Sequence, residues 1–410
     1  MTDAPRCAAG DGGPAMVKVG PPRPGFTNRL YREVISQGLC TACGACVGVC
    51  PNESITMEWV IPELVGTCEN CGSCWKACPG KEIRIQDLER KIMGRSRKPH
   101  EKRIGIHTAC YAAHAVDGSV RRNATSGGVL TALLLYAFEK GLIDAALVTG
   151  MSAAEPWKAA PLLALSRDEV LGSQKTKYML VPGGLLSILG KAVIDRGIER
   201  LAVVGSPCHV HAVRKIQTNG NGYLKARIGT KIRYVLGHHC AFNFYPEGTE
   251  ALIQALGMRT EQLSSVTWRD TSEVPFPGQF TAAAADGSRR SMPLLQEYVI
   301  LGGIYDRPRC RLCYDWANEV ADLSSGDEVD ELGFHKAGAQ RSHVVVRTRE
   351  GEELFSGAVA EGCVAAEPVT EAEVARNLGF LIKKIGNIPR IEEAKRLGLP
   401  LPDFGNYPCF

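Results

Sequence analysis

Residues 40–51 read CTACGACVGVCP, and residues 68–79 return the same cysteine spacing as CENCGSCWKACP. Each run follows the pattern C-x2-C-x2-C-x3-C-P, which is the spacing of 4Fe-4S ligands in bacterial ferredoxin modules. When two such runs are present, the last cysteine of each run ligates the cluster of the other run. The pattern therefore predicts two clusters with these ligand sets: Cys40, Cys43, Cys46 and Cys78 for one, and Cys68, Cys71, Cys74 and Cys50 for the other.

Two other uses of paired cysteines fit this pattern less well. Disulfides would need a secretory context and would require neither this spacing nor the two prolines. Zinc sites use C-x2-C pairs, but they usually take four ligands without a third cysteine at the next step. The pattern thus favours iron-sulfur clusters, and with them the transfer of single electrons.

The composition is that of an ordinary globular protein. The chain has 410 residues, of which 45% are hydrophobic and 22% charged, and this length suggests two or three domains. The net charge of +4 is mild and no basic run alternates with aromatic residues, so nucleic acid is not expected as a partner. The longest apolar stretch, residues 129–138, is about half of a membrane span, so no membrane span is expected. The Gly- and Pro-rich residues 1–30 predict a flexible arm rather than a signal peptide, and with it a reducing, cytoplasmic location.

Local patterns place elements around and beyond the cysteine runs. Ile55-Thr56-Met57 and Ile83-Arg84-Ile85 each follow a Cys-Pro pair and predict a short strand. Farther on, Thr125-Ser126-Gly127-Gly128 precedes apolar residues at helical spacing and predicts a helix start. Two interpretations of that start are open: its free backbone N–H groups bind an anion, or it is a plain capped core helix.

Four further cysteines form a candidate third ligand set. Cys208 follows Gly205-Ser206-Pro207 at the predicted N-terminus of a helix, where its thiolate is favoured. Cys240 and the pair Cys310-x2-Cys313 come later in the chain. Any one of them could be a buried structural thiol, but together the four are sufficient for a third 4Fe-4S cluster.

The order of these parts resembles the family of coenzyme F420 hydrogenase/dehydrogenase beta subunits over about residues 36–330. Besides the cysteines, the resemblance rests on three stretches: Ser126-Gly127-Gly128, residues 172–178 (GSQKTKY) and residues 321–327 (ADLSSGD). The family often has a Trp-Gly pair shortly after the last of these, where this sequence has Glu328-Val329-Asp330. Because of that difference, the family's substrate contacts from this loop are not carried over to this sequence.

The resemblance implies an FAD-containing iron-sulfur oxidoreductase of α+β or α/β class. A bacterial-ferredoxin-like module with two 4Fe-4S clusters would precede a mixed α/β flavin-binding domain. Ser126, Gly127 and Gly128, together with Lys175, Thr176, Lys177 and Tyr178, match segments expected around the flavin, while Cys208, Cys240, Cys310 and Cys313 match a further cluster. The expected divisions are an N-terminal arm (1–30), the ferredoxin-type domain (36–92), two parts of the flavin and iron-sulfur domain (103–180 and 181–350) and a C-terminal extension (351–410).

The implied activity is electron transfer between a two-electron carrier of the coenzyme F420 type and one-electron 4Fe-4S carriers through FAD. Two alternatives stay open: a ferredoxin-dependent reductase of an organic substrate, as in relatives that reduce chlorophyll precursors, and a non-catalytic relay subunit. The expected partners are ferredoxin or another redox subunit, together with a deazaflavin coenzyme or an organic substrate. No catalytic acid or base is identified.

Overall fold

The structure, a computed structural model, describes residues 25–218, 222–330 and 340–405. Its strands are β1 (Ile55–Thr56), β2 (Glu63–Leu64), β3 (Ala109–Ala115), β4 (Ala145–Met151), β5 (Ala159–Ala164), β6 (Leu201–Gly205), β7 (Ile232–His238), β8 (Leu263–Asp270), β9 (Gln279–Ala284), β10 (Arg289–Pro293), β11 (Leu323–Asp327), β12 (Ser342–Val346) and β13 (Val364–Pro368). They form an eight-stranded mixed sheet, a three-stranded antiparallel sheet and a two-stranded hairpin.

The eight-stranded sheet organises the chain, in the order β13-β3-β12-β11-β7-β6-β4-β5. Its four central strands, β4, β6, β7 and β11, run parallel, and the flanking strands are antiparallel. The three-stranded sheet, β10-β9-β8, lies in the segment between β7 and β11. In an open α/β sheet, ligands bind beyond the carboxyl ends of the parallel strands. The ends of β6, β7 and β11 are therefore the first place to look for a site.

The α-helices are α1 (Ala45–Gly48), α2 (Ser73–Ala77), α3 (Ile85–Met93), α4 (Gly118–Arg122), α5 (Val129–Glu139), α6 (Arg167–Gly172), α7 (Pro207–Thr218), α8 (Pro246–Ala255), α9 (Leu294–Leu301), α10 (Arg349–Ala360), α11 (Glu371–Val374), α12 (Leu378–Phe380) and α13 (Asn387–Arg396). Further 3-10 or π-helical segments are Phe26–Ile35, Pro99–Lys102, Leu185–Ile188, Lys191–Asp195, Leu224–Ile228, Gly229–Lys231, Thr260–Gln262, Pro308–Leu312 and Leu381–Gly386. No helix in these described ranges is long and apolar enough to cross a membrane.

Helices cover both faces of the large sheet because successive side chains of its strands point to opposite sides. In β6, Leu201 and Val203 pack with α7 on one face, whereas Ala202 belongs to the cluster of α5 and α10 on the other. The predicted helix after Gly128 is α5, and the predicted helix after Pro207 is α7.

The cysteine-rich module shares the core layer of α7. Ala45 and Ala77, from the two cysteine runs, pack in one buried cluster with Val210 and Val213. At Gly48, an added Cβ would lie 2.0 Å from the carbonyl oxygen of Leu186. Glycine is therefore required for this close approach between α1 and the helical segment Leu185–Ile188.

Two predictions about local structure need correction. The predicted arm covered residues 1–30, but a helix begins at Phe26 and buries Phe26 and Leu30 in the cysteine-rich module, while residues 1–24 lie outside the described residues. Ile83-Arg84-Ile85 is not a strand, because α3 begins at Ile85. Its counterpart Ile55–Thr56 does form a strand, paired with Glu63–Leu64.

The predicted C-terminal extension (351–410) contributes elements to the body of the protein. Its boundary at residue 351 falls inside α10, and β13 pairs with β3 at the edge of the large sheet. Sequence analysis did not reveal this because β3 lies about 250 residues earlier, and a strand pairing over such a distance leaves no local pattern.

Candidate redox centres

The two cysteine runs surround two cavities, and each cavity draws one cysteine from the other run. Leu30, Thr41 and Met57 help to line the first cavity, together with Cys40, Cys43, Cys46 and Cys78. Asn52 and Leu64 help to line the second, together with Cys50, Cys68, Cys71 and Cys74. We call the first group the inner set and the second the outer set. These are the two groups that the crossed ligand pattern predicts.

The loops of the two runs have matching backbones. Ala42 and Asn70 have φ values of +52° and +53°, and Gly44 and Gly72 both have +79°. Positive φ at these positions turns the chain tightly before each short helix, α1 and α2. Backbone N–H groups also approach the sulfurs, with Ala42 N at 3.5 Å from Cys40 Sγ and Gly80 N at 3.3 Å from Cys78 Sγ. Donors of this kind stabilise thiolates that bind a cluster.

Exposure distinguishes the two sets. Cys43 and Cys78 of the inner set are buried, as is Cys74 of the outer set, whereas Cys71 of the outer set is exposed. Burial, followed by the neighbouring thiols, raises the pKa of Cys46 in the inner set and raises the pKa of Cys74 in the outer set to about 12. Within the described residues, no group of three His, Cys, Asp or Glu side chains has the geometry to hold a single metal ion.

The third predicted set gathers at the carboxyl edge of the large sheet. Cys208 follows β6, Cys240 follows β7, and Cys310 and Cys313 belong to a 3-10 turn over Pro308–Leu312 and its end. We call these four the third set. Burial and then the thiols of the other three raise the pKa of Cys240, so the four lie close together. Cys208 does lie in the first turn of α7, but burial raises the pKa of its thiol, so the helix N-terminus alone does not favour its thiolate.

Buried cations accompany the third set. Arg309 is 2% exposed, lies among the thiols of Cys208, Cys310 and Cys313, and has its Nε and Nη2 atoms without a hydrogen-bond partner among the described residues. Lys383 is also 2% exposed, and its pKa is raised because the nearby thiols outweigh the cost of burial. Unpaired buried cations are costly unless a negative charge compensates them. The residues present therefore fit an anionic 4Fe-4S cluster with four thiolate ligands.

Helix α7 connects the third set to the inner set. Cys208 lies at its first turn, and two turns later the Nζ atom of Lys215 donates to the carbonyl oxygen of Cys78 at 2.6 Å. Burial, and then the thiols of Cys78 and Cys208, raise the pKa of Cys43. The thiols of the third and inner sets thus lie within electrostatic reach of one another.

The two segments predicted around the flavin lie side by side. Thr176 N donates to Thr125 Oγ1 at 2.7 Å, next to Ser126. Lys177 Nζ donates to the carbonyl oxygens of Ser173 and Gln174 at 2.5 and 2.8 Å, and burial lowers its pKa to about 7. Lys175 has a φ of +72°. The segment 175–178 therefore turns sharply beside the start of α5.

Gly127 and Gly128 are explained by contacts within the protein. A Cβ on Gly127 would lie 2.5 Å from Ala113 O, and its N–H donates to Ser342 Oγ at 2.9 Å. Ser126 Oγ bonds the same Ser342 hydroxyl at 2.6 Å. Gly128 has a φ of +74°, which any other residue would adopt with strain. The N–H of Gly127 is thus used within the protein, but α5 has no side-chain cap at Gly128, so both interpretations of this helix start stay open.

Two family models match this chain. Residues 110–189 match the N-terminal model of the coenzyme F420 hydrogenase/dehydrogenase beta subunit, and residues 198–372 match its C-terminal model. The chain belongs to the family of coenzyme F420 hydrogenase/dehydrogenase beta subunits. Residues 33–56, which contain the first cysteine run, match the 4Fe-4S binding domain. The family predicted from the order of motifs is confirmed, and the chain is an iron-sulfur protein of an F420-linked oxidoreductase family.

Curated relatives and a solved structure agree with this family. The chain is 30% identical over 305 residues to the coenzyme F420 hydrogenase subunit beta of Methanothermobacter thermautotrophicus, covering 73% of this chain and 99% of the relative. It is 28% identical over 302 residues to the protein of the same name from Methanosarcina barkeri, covering 72% of this chain and 95% of the relative. A chain of the F420-reducing nickel-iron hydrogenase complex from Methanosarcina barkeri superposes with a TM-score of 0.59 and 25% identity, covering 77% of this chain and 100% of that chain.

A polar cluster that the motifs of this family did not reveal lies beside Tyr178. The Tyr178 hydroxyl bonds the Tyr298 hydroxyl at 2.9 Å, and Arg269 Nη1 donates to Asp327 Oδ2 at 2.6 Å. Glu297 is fully buried, and neither of its carboxyl oxygens, nor Nη2 of Arg269, has a hydrogen-bond partner in the described part of the chain. Burial, opposed in part by Arg269, raises the pKa of Glu297 to about 9. Sequence analysis missed Arg269, Glu297 and Tyr298 because they are single polar side chains on β8 and α9, elements that meet only in the fold.

Proposed function

We propose that this family member is an iron-sulfur flavoprotein that moves electrons between a two-electron carrier of the F420 type and one-electron carriers. It would bind FAD and three 4Fe-4S clusters, one at each cysteine set. When bound, FAD accepts a hydride and releases single electrons, and the clusters carry those electrons one at a time. The name of the relative from Methanothermobacter thermautotrophicus, coenzyme F420 hydrogenase subunit beta, supports the F420-type carrier.

One observation carries the proposal: the three cysteine sets form a sequence from the sheet edge to the surface. The third set lies beyond β6 and β7, helix α7 connects it to the buried inner set, and the outer set ends at exposed Cys71. Cys46 lies within electrostatic reach of both Cys78 and Cys74, which joins the inner set to the outer one. Electrons would therefore pass from set to set between a buried site and a partner at the outer set.

The residues beside the third set suit the two-electron site. Lys177 lies close enough to lower the pKa of His238 at the end of β7, and Arg269 and Asp327 lie near Tyr178. Lys177 and Arg269 would attract the negative charge of a reduced ring, and Arg269 keeps an unpartnered Nη2 atom for such a ligand. Glu297 would hold a proton on its carboxyl at neutral pH. The predicted segment 175–178 is thus proposed to bind FAD together with Arg269.

The test uses the full chain, because the cysteine-rich module shares its core with α7 and is not a separable piece. Anaerobically reconstituted protein is mixed with reduced F420, and bleaching of the flavin and then of the clusters is followed. A Cys71→Ala variant loses one ligand of the outer set. We expect it to keep flavin reduction by F420 and to lose most of the reduction of an added ferredoxin or dye.

Other outcomes would assign a different function. If neither F420 nor a nicotinamide donor reduces the flavin, but reduced ferredoxin does, the ferredoxin-dependent reductase of an organic substrate is the better interpretation. If the reconstituted chain holds clusters but no flavin, a non-catalytic relay remains.

A further inference from the structure

The C-terminal segment after the matched family region contacts the third set directly. The C-terminal family model ends at residue 372, and the π-helical segment Leu381–Gly386 and α13 follow it. We propose that this segment completes the third cluster site, and that Lys383 supplies the charge that sets the reduction potential of that cluster. This inference rests on the third cluster of the proposed function.

Two side chains of the segment bind the backbone that presents the cysteine pair. Asn387 Nδ2 donates to the carbonyl oxygens of both Cys310 and Cys313, at 2.9 and 2.8 Å. Lys383 Nζ lies 3.3 Å from the Cys310 carbonyl oxygen and over the ring of Phe242, at 5.8 Å from its centre. Lys383 is 2% exposed and Asn387 is fully buried. The cysteine pair is therefore held from the C-terminal side as well as by its own turn.

A buried ion network fixes the position of Lys383. Its neighbour Lys384 is fully buried and pairs with Glu319, which also pairs with Arg97. Arg97 in turn binds Glu89 of α3, with Nε at 2.8 Å from Oε2. The network holds this segment at Lys384, and the neighbouring Lys383 reaches the Cys310 carbonyl oxygen and the thiols beside it.

The positive charge of Lys383 is not balanced by a carboxylate in the described residues, and it can therefore affect the potential of the third cluster. In the described part of the chain no carboxylate forms an ion pair with Lys383, Arg307 or Arg309, so their charges act on the thiols. The inner set differs, because its Lys215 is paired with Glu82 at 2.8 Å and so brings little net charge. Reduction adds one negative charge to a cluster, and a fixed nearby cation stabilises the reduced form more than the oxidised form. Lys383 should thus raise the potential of the third cluster and leave the other two unchanged.

The test compares Lys383→Met with Lys383→Arg, which keeps the charge, and with Lys395→Met, which removes an exposed charge from α13. Each full-length protein is reconstituted anaerobically, its iron is counted, and each cluster is titrated by paramagnetic resonance at poised potentials. In Lys383→Met we expect the ratio of reduced to oxidised third cluster at a fixed potential to fall about tenfold, which is about 59 mV for a one-electron couple. The Lys383→Arg and Lys395→Met proteins should titrate like the wild type.

The outcomes separate the cluster from the role of Lys383. Wild-type iron near 8 per chain, instead of about 12, would reject the third cluster itself and hence the proposed function. With about 12 iron atoms, an unchanged third potential in Lys383→Met would overturn the role of Lys383 alone. If Lys383→Met loses the third cluster and Lys383→Arg retains it, the charge is needed for binding, which supports the proposal. If both variants lose it or shift it equally, the site needs the lysine shape rather than its charge, and the proposal is wrong.

Discussion

Glu297 offers a test of the polar cluster beside Tyr178 that does not depend on activity. Its carboxyl is fully buried with no hydrogen-bond partner in the described residues, and burial raises its pKa from 4.5 to about 9. Between these two values the folded state holds a proton that the unfolded state has lost. The contribution of Glu297 to stability is therefore complete below pH 4.5 and decreases as the pH rises toward 9, by about 1.4 kcal/mol for each pH unit.

The substitution Glu297→Gln keeps the shape and removes the titration. The assay is hydrogen exchange of the backbone amides of α9, which reports the free energy of the local opening that exposes Glu297. From pH 6 to pH 8 the linkage amounts to about 2.7 kcal/mol, or about a hundredfold in exchange protection after correction for the intrinsic rates. Between pH 6 and pH 8 we expect the exchange protection of α9 in the wild type to fall by up to this factor relative to that in Glu297→Gln.

A neighbouring substitution serves as the control. Gln296→Glu places a new carboxyl on an exposed position of the same helix, where its pKa has no reason to shift, so its profile should match that of the wild type. The reasoning is refuted if the protection of α9 in wild type and in Glu297→Gln changes in parallel between pH 6 and pH 8. Glu297 would then be ionised in the folded protein, and an unseen partner would have to stabilise its charge.

Two further predictions concern the cysteine-rich module. Cys50→Ala should abolish the resonance signal of the outer cluster and leave the inner one intact, because Cys50 lines the cavity of Cys68; loss of the inner signal alone would contradict the crossed assignment. Arg97→Met should lower the stability of the reconstituted protein by about 3–5 kcal/mol, because it leaves buried Glu89 without its partner. The control Arg90→Met removes an exposed ion pair with Asp87 and should lower the free energy of unfolding by about 0–1 kcal/mol in the same thermal unfolding series. Equal losses in the two variants would show that the buried network stabilises the protein no more than an exposed pair does.

The cysteine groups could be predicted from sequence because cluster ligation is a matter of spacing. A 4Fe-4S cluster needs three thiolates from one tight loop, so the pattern of Cys40 to Cys50 already contains the geometry. The structure brings the predicted third set together as well, although Cys208 and Cys310 are about a hundred residues apart. In that case the C-x2-C pair and the family resemblance singled out four of the eight cysteines that lie outside the two runs.

The surroundings of the sites could not be predicted in this way. Lys383, Asn387 and Arg269 are ordinary polar residues in sequence, and what distinguishes them is their burial and the groups that they contact, which only the fold reveals. Gly127 illustrates the limit of a short motif, since the sequence left two interpretations of the helix start open and the structure adds a close approach of this glycine to Ala113. A short motif predicts a backbone conformation more reliably than it predicts what that conformation contacts.

The shared core of the cysteine-rich module also limits how electrons can leave the protein. Ala45 and Ala77 are buried against α7, and the network of Glu89, Arg97 and Glu319 ties α3 to the body of the protein. Breaking these contacts would expose apolar surface and buried charge together, so a swinging motion of the module would be costly. The distance between the inner and third sets is therefore fixed by packing. Under the proposed function, a partner would come to the exposed outer set, and we expect its approach rather than a domain motion to govern the rate of the last transfer.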